Sequence, residues 1–427
     1  MKIKTKTLPY SEVLKLPKPN RIKPKKPSIL FRSIVRAAAQ KDLKEVNFSY
    51  TKRDMDKAGE GPWLILMNHS SIVDLEIVSK IMYPKPYCIV CTSDGFVGKP
   101  WLMQHIGCIP TQKFVRDIGL IQDISYTFNT LKTSVLMYPE ASYSFDGSAT
   151  PIPKKLGVLL KRLGVSVVMI KTFGAFSRDP LYNGLKKRKV DVSAEISCLV
   201  SAEELKQKSA AELDDILENA FTFDYFRWQQ ENKIKITEEF RAEGLNRILY
   251  KCCDCGEEGF MEASGTTIRC SRCGCEYELD EYGNLKLIAG KGQFNHIPDW
   301  YEWERKEVRR ELEDGSYLLE SDVEIGMMVD YKYIYMVGEG HLKQDENGFE
   351  LTGCDGQLEY FRAPLTCYSL YSDYFWYEIG DVICLGGGDA LYYCFPKEKD
   401  LVAKARLAAE ENYKLAVAAK KHRVQSD

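Results

Sequence analysis

The sequence predicts an α/β sheet with flanking helices, then a four-cysteine ribbon, then a small β-rich module closed by a C-terminal helix. Three observations carry this expectation. Over 63–200, short β-rich runs alternate with helical stretches, the pattern of a sheet with helices on its faces. Two Cys-x-x-Cys-Gly knuckles follow it. Beyond about 300, several β-forming runs lead into one long helix. At 427 residues, 44% of them hydrophobic, the chain is long enough for two or three packed domains. The expected boundaries are an extended Lys/Pro-rich arm at 1–28, the α/β domain with a helical extension at 29–248, the ribbon at 249–290 and the β-rich module at 291–427.

In chain order, helix and approach loop are expected at 29–62. Strands follow at 63–67, 87–92, 107–111, 134–138, 165–170 and 190–199, with helices at 72–82, 116–132 and 154–163. Residues 202–248 read as helical, opened by the capping box that starts at Ser201. Phe221-Thr222-Phe223-Asp224-Tyr225-Phe226-Arg227-Trp228 is aromatic-rich and suits a packing seam better than an acyl groove. In the last module, strands are expected at 327–338, 358–362, 374–378, 381–385 and 390–395, and a helix at 397–420. Gly386-Gly387-Gly388-Asp389 reads as a turn.

One peptide stands out chemically. Asn68-His69-Ser70-Ser71-Ile72-Val73-Asp74 directly follows the apolar run Trp63-Leu64-Ile65-Leu66-Met67, in a chain with only five histidines. Imidazole titrates near neutrality, so it can take a proton from an alcohol and return it. A carboxylate on its other nitrogen fixes the tautomer and stabilises the imidazolium. Ser71-Ile72-Val73-Asp74 also fits a capping box, which would make Asp74 a helix-start residue alone. The heptapeptide by itself leaves both open.

Three further segments follow in order: Gly107-Cys108-Ile109-Pro110-Thr111-Gln112-Lys113, then Leu136-Met137-Tyr138-Pro139-Glu140-Ala141-Ser142-Tyr143-Ser144, then Val167-Val168-Met169-Ile170. With the His-x-x-x-x-Asp element, the series resembles the glycerolipid acyltransferase family, typified by 1-acylglycerol-3-phosphate acyltransferases, over roughly 60–200. The resemblance implies that His69 is the general base and Asp74 its orienting partner. An acyl group would pass from a thioester, acyl-coenzyme A or acyl carrier protein, to a lysophospholipid or glycerol-phosphate hydroxyl. It assigns Lys113, Glu140 and Ser142 to substrate binding. Lys113 stands where the family has arginine, Ala141 for glycine, Ser142 for threonine and Tyr143 for a second arginine. Neither lysine nor tyrosine reproduces the bidentate phosphate contact of arginine. Lys154, Lys155 and Arg178 are the candidates for the missing charge. The alternative is a catalytically silent lipid-binding or adaptor protein on the same fold.

Cys252-Cys253-Asp254-Cys255-Gly256 and Cys270-Ser271-Arg272-Cys273-Gly274-Cys275 have the spacing of a zinc ribbon. Cys252, Cys255, Cys270 and Cys273 are the expected ligands of a structural Zn2+, with Cys253 and Cys275 as spare thiols. Four thiolates close the shell, so the metal would offer no catalytic position. Cys88-Ile89-Val90-Cys91 has similar spacing but lies in a strand, where the two side chains leave on opposite faces.

Charge is distributed unevenly. Residues 1–250 hold 39 Lys/Arg against 27 Asp/Glu, and 251–427 hold 20 against 34. The first 40 residues alone carry 11 basic side chains and one acidic one. A basic leader favours anionic surfaces, and residues 31–39 can form a short helix with Phe31, Ile34, Val35 and Ala38 on one face. That helix suits either an interfacial role or packing on the domain. Nucleic acid is the least favoured partner because the basic segment lacks interleaved aromatics. No run approaches the roughly 18 apolar residues of a membrane span. Scattered apolar thiols and no evident export signal point to a reducing cytoplasm, with peripheral membrane contact for a lipid substrate. The last module resembles pleckstrin-homology-like or GRAM-type modules in plan. Its acidic balance favours a protein partner over anionic headgroups.

Overall fold

The computed structural model describes residues 2–115, 117–387 and 390–426. It divides into two compact units, one of Asn20–Pro180 and Lys186–Trp228, the other of Met1–Pro19, Leu181–Leu185 and Gln229–Asp427.

The first unit is the α/β sheet. Its strands are β1 (Ser49–Arg53), β2 (Leu64–Met67), β3 (Tyr87–Thr92), β4 (Cys108–Thr111), β5 (Ser134–Met137), β6 (Val167–Phe173) and β7 (Ser193–Val200), in the order β1-β7-β6-β2-β5-β3-β4. Five run parallel, from β6 to β4; β7 is antiparallel to β6 and carries β1 parallel to itself. β2 is central, with Leu64, Ile65, Leu66 and Met67 all buried because helices cover both faces. On one face Leu64, Leu66, Val135, Val167 and Met169 pack against Ile124 and Phe128, Leu156 and Leu160, and Leu213 and Leu217.

The helices include α1 (Ile29–Glu45), α2 (Asp74–Met82), α3 (Pro100–His105), α4 (Ile118–Asn129), α5 (Leu156–Leu163) and α6 (Ala210–Phe221), with further short helices at Ala175–Arg178, Ala202–Gln207 and Tyr225–Glu231. The strand at 49–53 was not expected. It is an edge strand with four of its five residues exposed, so it carries no apolar signal. α1 turns its arginines inward: Arg32 donates to the Pro84 carbonyl and Arg36 lies 4.2 Å over the Tyr83 ring. Ala39 and Leu43 are buried toward its C-terminal end, while near its start Leu30 is 64% and Ile34 54% exposed. The expected arm at 1–28 is not extended throughout: it holds the strand Thr5–Thr7 and a helical turn at Tyr10–Val13. Residues 20–28 have neither helix nor strand, and Arg21 among them is paired with Asp123 of α4 at 2.8 Å. Among the described residues no helix is long and apolar enough to cross a membrane.

In the second unit, the ribbon strands β8 (Met261–Ser264), β9 (Thr267–Cys270), β10 (Glu276–Leu279) and β11 (Leu285–Ala289) form an antiparallel sheet in the order β11-β10-β9-β8. A helix follows, α7 (Ile297–Asp314). It was missed in the sequence, although Pro298 in its first turn and left-handed Gly315 at its end are its signals. Then come β12 (Leu319–Met328), β13 (Ile334–Asp345), β14 (Gly348–Gly353), β15 (Leu358–Arg362), β16 (Tyr371–Trp376), β17 (Gly380–Gly386), β18 (Leu391–Pro396) and α8 (Leu401–Ser426), the strands ordered β15-β14-β13-β12-β18-β17-β16. Residues 327–338 are not one strand. They span a hairpin turn, where the Asp330 carboxylate accepts from the Lys332 N–H at 2.8 Å. The strand Thr5–Thr7 adds to β13 in parallel. Residues 202–248 are helical only to Glu231, apart from a short turn of 3₁₀ helix at Leu245–Arg247. Of the glycine-rich turn at 386–389, Gly388 and Asp389 lie outside the described residues.

α5 and α6 meet at Gly157. A Cβ there would fall 2.1 Å from the Ala210 carbonyl oxygen and 3.0 Å from Leu213 Cβ. The Gly157 N–H also donates to Asp214 Oδ1 at 2.7 Å. Gly157→Ala is therefore expected to destabilise by about 1–3 kcal/mol through overpacking, against the gain of about 1 kcal/mol that alanine brings in an open helix. Urea unfolding reads this directly. A midpoint that stays level or rises would contradict the close approach.

Candidate active site

The carboxyl ends of β2 and β5, neighbours at the sheet centre, place the site. This is where open parallel sheets gather their chemistry. The chain leaves β2 through Asn68. Its Oδ1 accepts from the Thr172 N–H of β6 at 3.0 Å, and its Nδ2 donates to Thr172 Oγ1 at 3.1 Å and to the Tyr225 hydroxyl. The Tyr225 hydroxyl in turn donates to Ser70 Oγ at 3.0 Å. The aromatic segment at 221–228 thus packs under this turn, with Tyr225 stacked on Phe176 at 5.3 Å.

His69 comes next. Its Nδ1 is 3.0 Å from Asp74 Oδ2. The same oxygen accepts from the Ser70 N–H at 2.9 Å and the Ser71 N–H at 3.1 Å. Asp74 opens α2 and is fully buried, while the His69 side chain keeps 17% of its surface exposed. The helix-start role and the ring-holding role, set apart in the sequence, are played by one carboxylate. A carboxylate only accepts, so Nδ1 carries the proton and Nε2 is the basic nitrogen.

The loop after β5 holds the other side. Glu140 Oε2 accepts from the His69 N–H at 2.8 Å, and Oε1 accepts from the Thr150 N–H at 3.0 Å and hydroxyl at 2.9 Å. The Ser144 N–H donates to the His69 carbonyl at 3.3 Å. The His69 peptide is therefore gripped at both ends. Burial pushes Glu140 up to about 7, against the pull of its three donors and with help from the Asp74 charge. Ser142 is buried, its hydroxyl 3.5 Å from the Glu140 carbonyl oxygen.

Two rings flank the imidazole. Tyr143 is stacked on it at 4.0 Å between centroids, and Tyr138 lies tilted against it at 4.1 Å. Burial lowers the His69 pKa, the Asp74 contact opposes this, and the charge of Lys113 adds to the lowering. Lys113, just past β4, is thus within electrostatic reach of His69.

The structure brings His69, Asp74, Lys113, Glu140 and Ser142 to one end of the sheet. Both Glu140 oxygens face protein donors, and Ser142 is turned inward with it. Of the candidates for the missing charge, Arg178 is ruled out. It is buried, 2.7 Å from Asp179 and 3.5 Å from Asp42, so its charge is already matched. Lys154 and Lys155 are exposed in the loop before α5. Tyr138, Tyr143, Thr150 and Tyr225 were not anticipated at the site. Only the aromatic density around Tyr225 hinted at any of them.

Residues 45–171 match a family model described as acyltransferase. This segment is an acyltransferase domain. It runs from the end of α1 through β6 and includes His69, Asp74, Lys113, Glu140 and Ser142. No curated protein matches the chain. Among solved structures, the crystal structure of the 1-acyl-sn-glycerophosphate (LPA) acyltransferase, PlsC, from Thermotoga maritima is similar at 13% identity, over 45% of this chain and 81% of that one, with a TM-score of 0.33.

Away from the acyltransferase domain, the ribbon gathers Cys252, Cys255, Cys270 and Cys273 with their sulfurs all within 4.8 Å of one another. Cys252 and Cys273 are 3.6 Å apart, and Cys255 and Cys270 are 3.8 Å apart. A tetrahedral zinc with bonds of about 2.3 Å needs sulfur separations of about 3.8 Å, so the set fits a closed four-thiolate centre. Left-handed Gly256 and Gly274 close the two knuckles, each N–H donating 2.9 Å to the carbonyl of Cys252 or Cys270. Stripping the metal with a strong chelator, or Cys270→Ser, is expected to melt this small four-stranded sheet. Cobalt substitution provides the check: intense thiolate-to-cobalt absorption in the wild type, lost in the variant. Equal spectra would remove Cys270 from the ligand set.

Proposed function

We propose that the acyltransferase domain moves a fatty acyl group from an acyl thioester to a hydroxyl of a lysophospholipid or related glycerol phosphate. The observation that carries the reading is the 3.0 Å contact between His69 Nδ1 and Asp74 Oδ2, inside the matched segment. His69 Nε2 takes the proton as the acceptor oxygen attacks the thioester carbonyl. A C–O bond forms, the tetrahedral intermediate collapses, and the C–S bond breaks. The departing thiolate receives the proton back from His69. Asp74 holds the tautomer and steadies the imidazolium between the two transfers. Lys113 supplies positive charge for a phosphate of acceptor or coenzyme A. Glu140, engaged by protein donors on both oxygens, acts on substrate only by fixing the His69 loop, and Ser142 supports that loop.

The outward apolar face of α1 supports peripheral contact with a lipid surface. Leu30 and Ile34 are more than half exposed there, and Trp101 of α3, edge-on to Phe31 at 5.9 Å, is 63% exposed. The ribbon, which we take to hold zinc, and the C-terminal module are accessory. The module is a candidate docking site for a protein partner, and a cytoplasmic location fits the free thiols.

The deciding assay incubates the protein with long-chain acyl-coenzyme A or acyl carrier protein and a panel of lysophospholipids. His69→Ala is expected to lose about 10²–10⁴-fold in rate. Only neutral imidazole acts as base, and its pKa is depressed. The acid limb of kcat/KM should therefore lie below the ordinary histidine value of about 6.5, with activity rising as pH climbs through it. A limb above that value, or equal turnover by the variant, would rule out His69 as the base. Silence from both proteins with lipid still bound would favour a lipid-binding role.

Glu140→Gln is expected to turn an amide NH2 toward one of the three donors. This costs about 1–3 kcal/mol in stability and lowers kcat with KM nearly unchanged. A raised KM with kcat intact would instead place Glu140 on the substrate.

A further inference from the structure

The ribbon has a second group of ligands beside the four-cysteine set. Cys253, Asp254 and Cys275 each offer one atom, and these atoms lie within 4.8 Å of one another. Cys253 directly follows the first ligand of the first knuckle. Cys275 lies two residues beyond the last ligand, just before β10. Cys275 is 2% exposed and Cys253 half-buried, while Asp254 reaches solvent. The chain leaving β11 closes over them. Gly290, with φ of 99°, comes so near that a Cβ there would fall 2.6 Å from Asp254 Oδ2 and 3.0 Å from Cys275 Cα. The Lys291 N–H then donates to Asp254 Oδ2 at 2.6 Å and holds the carboxylate in place. The Tyr277 hydroxyl, 3.5 Å from Cys253 Sγ, borders the group.

We infer that Cys253, Asp254 and Cys275 form a second metal site, specific for a borderline-soft divalent cation such as zinc. Two sulfurs and a carboxylate are the donor set such an ion prefers over magnesium or calcium, which take oxygen alone. Binding releases the two thiol protons and leaves a net charge of −1 on the cation with its three ligands. Three protein ligands leave a fourth tetrahedral position open to water, unlike the closed neighbouring centre. The exposed carboxylate gives the ion its way in. The two thiols are thus ligands rather than spare, and the ribbon binds two ions.

The test uses the full chain, kept anaerobic under reductant, stripped with chelator and titrated with cadmium. Native mass spectrometry should count two ions per chain in the wild type, and one in Cys253→Ser and in Cys275→Ser. The four-thiolate absorption should persist in both variants. Cadmium NMR of the wild type should give two resonances, one of four-sulfur and one of mixed sulfur and oxygen ligation. That measurement stands even if a variant fails to fold. A single ion and a single four-sulfur resonance in the wild type would overturn the second site and leave the first intact. A Cys253–Cys275 disulfide persisting under reductant would also overturn it. No bound ion at all would remove both sites.

Discussion

The geometry at the centre of the α/β sheet depends on one buried oxygen. Asp74 Oδ2 gathers the His69 ring nitrogen and the Ser70 and Ser71 amides, all within 3.1 Å. The amides would otherwise be orphan donors between a strand and a helix, and each would cost free energy if left unpaired. By answering them, the carboxylate makes the turn; by accepting from the Nδ1–H of the ring, it leaves Nε2 as the basic nitrogen. Turn and chemistry therefore cannot be varied separately. An asparagine at 74 offers one acceptor oxygen and an NH2 where donors already converge, so it would disturb the backbone and the ring together.

A second carboxylate works the same way from the opposite strand. Glu140 grips the His69 amide and ties it to Thr150, so the His69 turn is clamped between the ends of β2 and β5. Among the described residues, no lysine or arginine pairs with either carboxylate; Glu140 is answered on both oxygens by amides and a hydroxyl, whereas Asp74 is answered on Oδ2 alone and its buried Oδ1 has no hydrogen-bond partner. Arg178, which would have been a natural counter-charge, is spent on Asp179, Asp42 and Glu45 instead. Positive charge reaches the imidazole from Lys113, and it acts to keep the ring neutral.

The sequence carried the strands of the sheet core because β2, β3, β5 and β6 are apolar runs bounded by turn residues. It did not carry β1, whose exposed residues look like loop, or α7, whose charged surface masks a buried face of Trp300, Glu304, Val308 and Leu312. At the site, the residues linked by short sequence spacing were legible: His69 to Asp74, and the cysteine knuckles. Partners brought in by folding were not. Tyr138 and Tyr143 belong to a motif whose family pattern has arginine at the second position, so nothing local indicated that they would face an imidazole. Thr150 reaches the turn from a loop about 80 residues away along the chain, and Tyr225 from the start of the short helix Tyr225–Glu231, 155 residues from Ser70, distances over which sequence patterns say nothing.

The pair of tyrosines has a consequence for how the imidazole can be observed. With ring centroids 4.0 and 4.1 Å away on its faces, the imidazole sits in the shielding cones of two aromatic ring currents. Its carbon-bound protons should resonate upfield of those of the exposed His341, giving one resolved magnetic reporter at the centre of the fold. With Tyr138 and Tyr143 over its faces and Asp74 on Nδ1, a molecule reaching the other nitrogen arrives along the ring's edge.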